Sequence, residues 1–145
     1  MRCSFYLRKG IAYVPTMAKT EAGYWLHIEP VDVERISNPE SLKPVLLKAI
    51  GRGNPIVPTP RREHFPRDVM LRYCGMRSWS AFERTAHLWS ISGNADSYVI
   101  CPWRRSEEYR GGWEEDHERK TVIPASASLE DVVGQAAALA FSAEA

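Results

Sequence analysis

With 145 residues, 44% hydrophobic and 26% charged, the chain has the size and composition of one globular domain whose core needs no staples. Its 19 Lys+Arg against 18 Asp+Glu leave a formal charge of +1, so overall charge gives no ground for nucleic-acid or anionic-membrane binding. Cys3, Cys74 and Cys101 form no CxxC pair, the start MRCSFYLRKG lacks a signal-like apolar run, and EDVVGQAAALAF is far short of the ~20 residues of a spanning helix, which together fit a cytoplasmic protein.

CSFYLR alternates, with Cys3, Phe5 and Leu7 on one side and Ser4, Tyr6 and Arg8 on the other, and reads as a half-buried strand. Lys9-Gly10 makes a short hairpin turn into IAYVP, after which TMAKTEAG reads as a loop. YWLHIEP is the clearest strand, and Pro30, which has no N–H to donate, predicts a bulge, a bend or a change of partner.

SNPESLKPVLLKAIGRG reads as a helix with Leu42, Val45, Leu46 and Ile50 as its buried stripe and Gly51 as its stop. Asn38 with Pro39 makes a good start, but Pro44 would then lie inside the helix, and a cap at Ser41 removes that conflict. The proline-rich RGNPIVPTPRREHFP is a long loop, followed by a short helix, RDVMLRYCG. SWSAFERTAHLWSI starts as a helical turn capped by Ser78 or Ser80, with Glu83 closing a capping box, and ends as a strand. SYVICPW and KTVIPA are further strands, and SLEDVVGQAAALAFSA is a C-terminal helix capped by Ser128 and Asp131. Leu129, Val132, Val133, Ala136 and Leu139 make its buried stripe, and Gly134 is expected to mark close approach to the sheet. The fold class is thus α+β: a single domain over 1–145, mainly antiparallel sheet, packed by two to four helices.

Chemical signatures are weak. His27, His64, His87 and His117 stand at no metal-ligand spacing, so no metal or other cofactor is expected; GxSxG and phosphate-loop patterns are absent, and no catalytic residue is assigned. An acid–base ribonuclease built on Arg61, Arg62 and His64 is the alternative enzyme reading, although nothing in the spacing makes those side chains converge.

The stretch YRGGWEEDHERK is the most suggestive. Gly111 and Gly112 allow a sharp turn, Trp113 beside them is free to be exposed, and carboxylates crowd the run. A solvated, charge-balanced loop is the commoner fate of such a run; the functional reading is a contact surface for a basic partner. Its contact residues would be Tyr109, Trp113, Glu114, Glu115 and Asp116, with Glu107 and Glu108 at the rim.

The order of elements carries a resemblance. FYLRKGIAYVPT leads into YWLHIEPV; YCGMRSWSAFERTAHLWSI follows, then a strand, the Gly-Trp-acidic loop and VIPASASLEDVV. In size and layout this is similar to the small immunity proteins of bacterial contact-dependent growth inhibition and other polymorphic toxin systems. The resemblance implies a cytoplasmic binding protein, with no chemistry of its own, that occludes one cognate toxin C-terminal domain, often a nuclease. It implies no membrane or direct nucleic-acid partner.

Overall fold

The computed structural model describes residues 1–61, 69–108 and 112–144. An eight-stranded sheet runs in the order β3-β2-β1-β5-β6-β7, with β4 beside β2 and β8 beside β6. The strands are β1 (Arg2–Arg8), β2 (Ile11–Thr20), β3 (Trp25–Arg35), β4 (Ile56–Val57), β5 (His87–Gly93), β6 (Ser97–Arg105), β7 (Trp113–Glu115) and β8 (Thr121–Pro124). Among the described residues the pairings are antiparallel except β2 with β4. The described residues also form four α-helices: α1 (Pro39–Gly51), α2 (Leu71–Cys74), α3 (Trp79–Glu83) and α4 (Leu129–Glu144). The chain is an α+β protein.

Both faces of the sheet are covered. On one, Cys3, Phe5, Leu7, Ala12 and Val14 pack beneath α1 and α4, which contribute Leu42, Leu46, Val132, Val133 and Ala136. On the other, Tyr6, Tyr13, Val31 and Leu88 pack against Met70, Phe82 and Trp79 from the α2–α3 segment. The alternation in CSFYLR therefore marks a central strand with two different cores, correcting the half-buried reading. Tyr6 is 2% exposed, an aromatic core residue on the side expected to be solvated.

Local chemistry explains most element boundaries. Lys9 (φ 49) and Gly10 (φ 74) supply the two left-handed residues of a tight hairpin turn. TMAKT is strand, not loop: β2 continues to Thr20, pairing with β3 through Lys19↔Trp25 and with β4 through Lys19↔Ile56. The predicted bulge is present. Pro15 pairs with Val31 and Thr16 with Ile28, leaving Glu29 and Pro30 as extra residues, and Thr16 Oγ1 donates to the Pro30 carbonyl at 2.8 Å.

Helix α1 is capped by Asn38, not Ser41. The Asn38 side chain accepts from the Ser41 N–H (2.9 Å) and the Ser41 hydroxyl accepts from the Asn38 N–H (3.3 Å), a reciprocal box. Pro44 sits inside the helix and is tolerated because the carbonyl it leaves without an intrahelical donor, that of exposed Glu40, is in the first turn. The helix ends at Gly51, as expected, and left-handed Gly53 follows its cap residue Arg52. For α3 the cap is Ser78, which accepts from the Ala81 N–H; Glu83 is then the fifth helical residue, too far along to close the box, and is buried. A Cβ at Gly134 would meet the side chain of Lys43 on α1 at 3.5 Å, so the neighbour on that side is a helix and not the sheet.

Candidate functional site

Odd–even alternation decides what the second face displays. Arg2, Ser4 and Tyr6 of β1 lie beside Met17 of β2, with Trp25 and His27 of β3 on one flank. Leu88, Trp103 and Trp113 of β5, β6 and β7 lie on the other. They surround a cleft of about 220 Å³. Arg2 occupies its middle: the guanidinium carbon lies 5.7 Å from both the Trp25 and Trp103 ring centres, and Nη2 donates to Glu115 Oε1 at 3.3 Å. Asn54 locks this strand end, accepting from the Arg2 N–H at 3.0 Å and donating to the carbonyls of Arg2 and Met17. Trp103 Nε1 donates to Ser90 Oγ at 2.9 Å, which fixes its ring.

Tyr6 forms the floor, edge-on to His27, Trp79 and Phe82 at 5.6–5.7 Å. Burial, and then the positive charge of Arg2, lower the His27 pKa to about 4, so the imidazole is neutral at pH 7. Burial and the nearby Glu83 push the Tyr6 hydroxyl well above its ordinary range. Arg2 Nε and Trp113 Nε1 are buried with no hydrogen-bond partner among the described residues, an arrangement that costs roughly 1–3 kcal/mol per group.

The acidic stretch is more ordered than a solvated loop. Trp113, Glu114 and Glu115 form β7, paired with Arg105, Arg104 and Trp103. Trp113, left free by the sequence to be exposed or not, is half-buried, its ring 6.4 Å from Tyr6 and 5.8 Å from the Arg105 guanidinium. Glu115 points into the cleft with it, while Glu114 points to the opposite side and pairs with Arg104 at 2.9 Å. Asp116, only 8% exposed, lies 3.9 Å from Arg119. Glu107 and Glu108 are exposed. Tyr109 lies outside the described residues, as do Arg62 and His64 of the ribonuclease reading; Arg61 is exposed.

Arg2, Trp25 and Trp103 escaped the sequence reading because their meeting depends on strand order, which local alternation does not encode. The usable signal was Arg2 in phase with Tyr6, a large aromatic on a strand buried on both sides. A second grouping is also non-local: Cys101, Glu115 and His117 have ligand-type atoms within 4.8 Å of one another.

No family model matches the sequence, and no curated protein does. Solved structures do. A protein of unknown function from Neisseria meningitidis superposes with a TM-score of 0.67 at 12% identity, covering 98% of this chain and 93% of that one. The CdiA-CT/CdiI toxin and immunity complex from Yersinia pseudotuberculosis gives 0.66 at 14% identity, over 97% of this chain and 95% of that one. At such identities the shared property is the fold, over essentially the whole domain, and the chain resembles the immunity proteins of contact-dependent growth inhibition in that sense. No helix among the described residues is long and apolar enough to cross a membrane.

Proposed function

We propose that this protein is a cytoplasmic immunity protein that binds the C-terminal domain of a cognate toxin, a nuclease, and occludes its active site without performing chemistry of its own. The observation that carries this reading is the likeness over 97% of the chain to a structure whose components are a toxin and its immunity protein. The second face supports it physically. An arginine between two tryptophans, its own Nε and the Nε1 of Trp113 buried without acceptors among the described residues, has the residue types that dominate protein–protein hot spots. Trp113 and Tyr109 would join it as contact residues, and the carboxylates Glu107, Glu108, Glu114, Glu115 and Asp116 would steer a basic nuclease.

Burial sorts the carboxylates for mutation. Glu115 and Asp116 are held in place by Arg2 and Arg119, so reversing their charge would disturb the domain itself. Glu107 and Glu108 are exposed, and Glu114 gives up only a surface pair with Arg104. Replacing these three by lysine weakens toxin binding by about tenfold or more while leaving the unfolding midpoint within about 1 kcal/mol of wild type. Titration calorimetry against a candidate toxin domain checks it, and unchanged affinity removes the acidic rim from the interface. Co-expression of the two tests the class: growth rescue with a stable co-purified pair supports it, whereas growth slowed by this protein alone supports the ribonuclease reading.

A further inference from the structure

The side chains of Cys101 on β6, Glu115 at the end of β7 and His117 in the following 3-10 turn (His117–Arg119) converge from three backbone positions that no linear motif would join. One sulfur, one carboxylate oxygen and one imidazole nitrogen lie within 4.8 Å of one another. A tetrahedral zinc ion, with bonds of roughly 2.0–2.3 Å, separates its ligand atoms by about 3.3–3.7 Å. Glu115 Oε2 and His117 Nε2 already stand 3.5 Å apart. Cys101 Sγ lies within 4.8 Å of both, and the His117 side chain, 67% exposed, has room to adjust.

The frame around these groups is built. Glu115 is half-buried, and Arg2 holds its other oxygen, Oε1, at 3.3 Å, so Oε2 is the one presented to His117. The Asp116 N–H donates to the Pro102 carbonyl at 2.9 Å, and the Arg119 N–H donates to the Asp116 carbonyl at 3.1 Å. These bonds tie the residue after Cys101 to the residues around His117. Cys101 is 2% exposed, and its thiol lies 3.3 Å from the Pro102 carbonyl and 3.7 Å from that of Asp116. An outer residue that orients a ligating carboxylate, a rigid strand pair and a buried sulfur are features that pre-organised metal sites use.

We propose that Cys101, Glu115 and His117 bind one zinc ion, with water in the fourth position. The thiolate selects a borderline-soft transition metal over magnesium or calcium. On binding, the sulfur–hydrogen bond of Cys101 is replaced by a sulfur–zinc bond and the proton passes to solvent; no oxidation state changes. The ion clips the 3-10 turn to β6 directly behind Glu114 and Asp116, bracing that surface whatever partner it meets. The inference is independent of the toxin reading.

The test uses the full chain, stripped with chelator and kept reduced. Zinc titrated by calorimetry is expected to bind at one equivalent and raise the melting temperature. Cobalt(II), used as a spectroscopic stand-in, is expected to give a thiolate-to-metal charge-transfer band in the near ultraviolet. His117→Ala alters an exposed side chain and leaves the fold intact; it is expected to weaken zinc binding about tenfold or more. Cys101→Ser is expected to abolish the cobalt band, while Cys74→Ser, away from the site, keeps it. Absence of one-equivalent binding overturns the proposal. So does binding that His117→Ala leaves unchanged, or a cobalt band that survives Cys101→Ser.

Discussion

Gly134 is a residue whose neighbours decide the outcome of a substitution. A Cβ there would meet Lys43 Cε at 3.5 Å and Nζ at 3.7 Å, ordinary contact with the flexible end of a side chain. The helical preference of alanine is then free to act, and Gly134→Ala is expected to stabilise the domain by about 1 kcal/mol, read as a melting temperature about 3 °C higher. A lower value would mean that α1 and α4 pack more tightly than this distance implies. His27 makes a pH-dependent counterpart. Its pKa of about 4 lies below the ordinary 6.5, so between those values the unfolded chain binds a proton that the folded chain refuses. Stability from this group is complete above pH 6.5, drains away as the pH falls towards 4, and changes no further below that. Urea unfolding at pH 7 and pH 4 should show His27→Gln losing roughly 2 kcal/mol less than wild type over that interval.

At the scale of elements, what the sequence made legible was whatever local chemistry controls. The Lys9-Gly10 turn, the bulge at Pro30, the stripe Leu42, Val45 and Leu46, and the Ser128 cap, which accepts from the Asp131 N–H at 3.1 Å, were all readable from neighbours in the chain. The elements misread or left open depend on distant partners. Met17 to Thr20 are strand because β3 and β4 pair with that segment, and Trp113 faces inward because β6 offers it a pairing position opposite Arg105. Arg52, just past the end of α1, shows the same non-local logic. It donates to Thr16 Oγ1 at 2.7 Å and to Asp32, joining helix, β2 and the bulged strand. Burial acts to raise the Asp32 carboxyl, but hydrogen bonds from Arg52 and Lys48 outweigh it and hold the pKa below the usual carboxylate value. Arg52→Ala leaves Asp32 with the more exposed Lys48 and should cost roughly 2 kcal/mol in denaturant unfolding. A cost near zero would make this network ornamental.

Across the whole molecule, the sheet separates two tasks. One face, with α1 and α4, is a mainly aliphatic core that includes Phe5 and Trp89; the other is richer in aromatics, holds an arginine among tryptophans, and keeps two buried donors without partners among the described residues. Fold class followed from periodicity, since both helices and strands left their patterns in the sequence. The candidate site did not, because Arg2, Trp25, Trp103 and Glu115 converge only once six strands are placed in order.

Strand β6 bonds to β8 through residues 97–100 and to β7 through residues 103–105. Its amide hydrogens therefore form two reporters on a single ribbon. Deuterium uptake in a protein gripped at the acidic end should slow at 103–105 while 97–100 keep their rate. Uniform slowing along the ribbon would instead reveal a guest that tightens the entire domain.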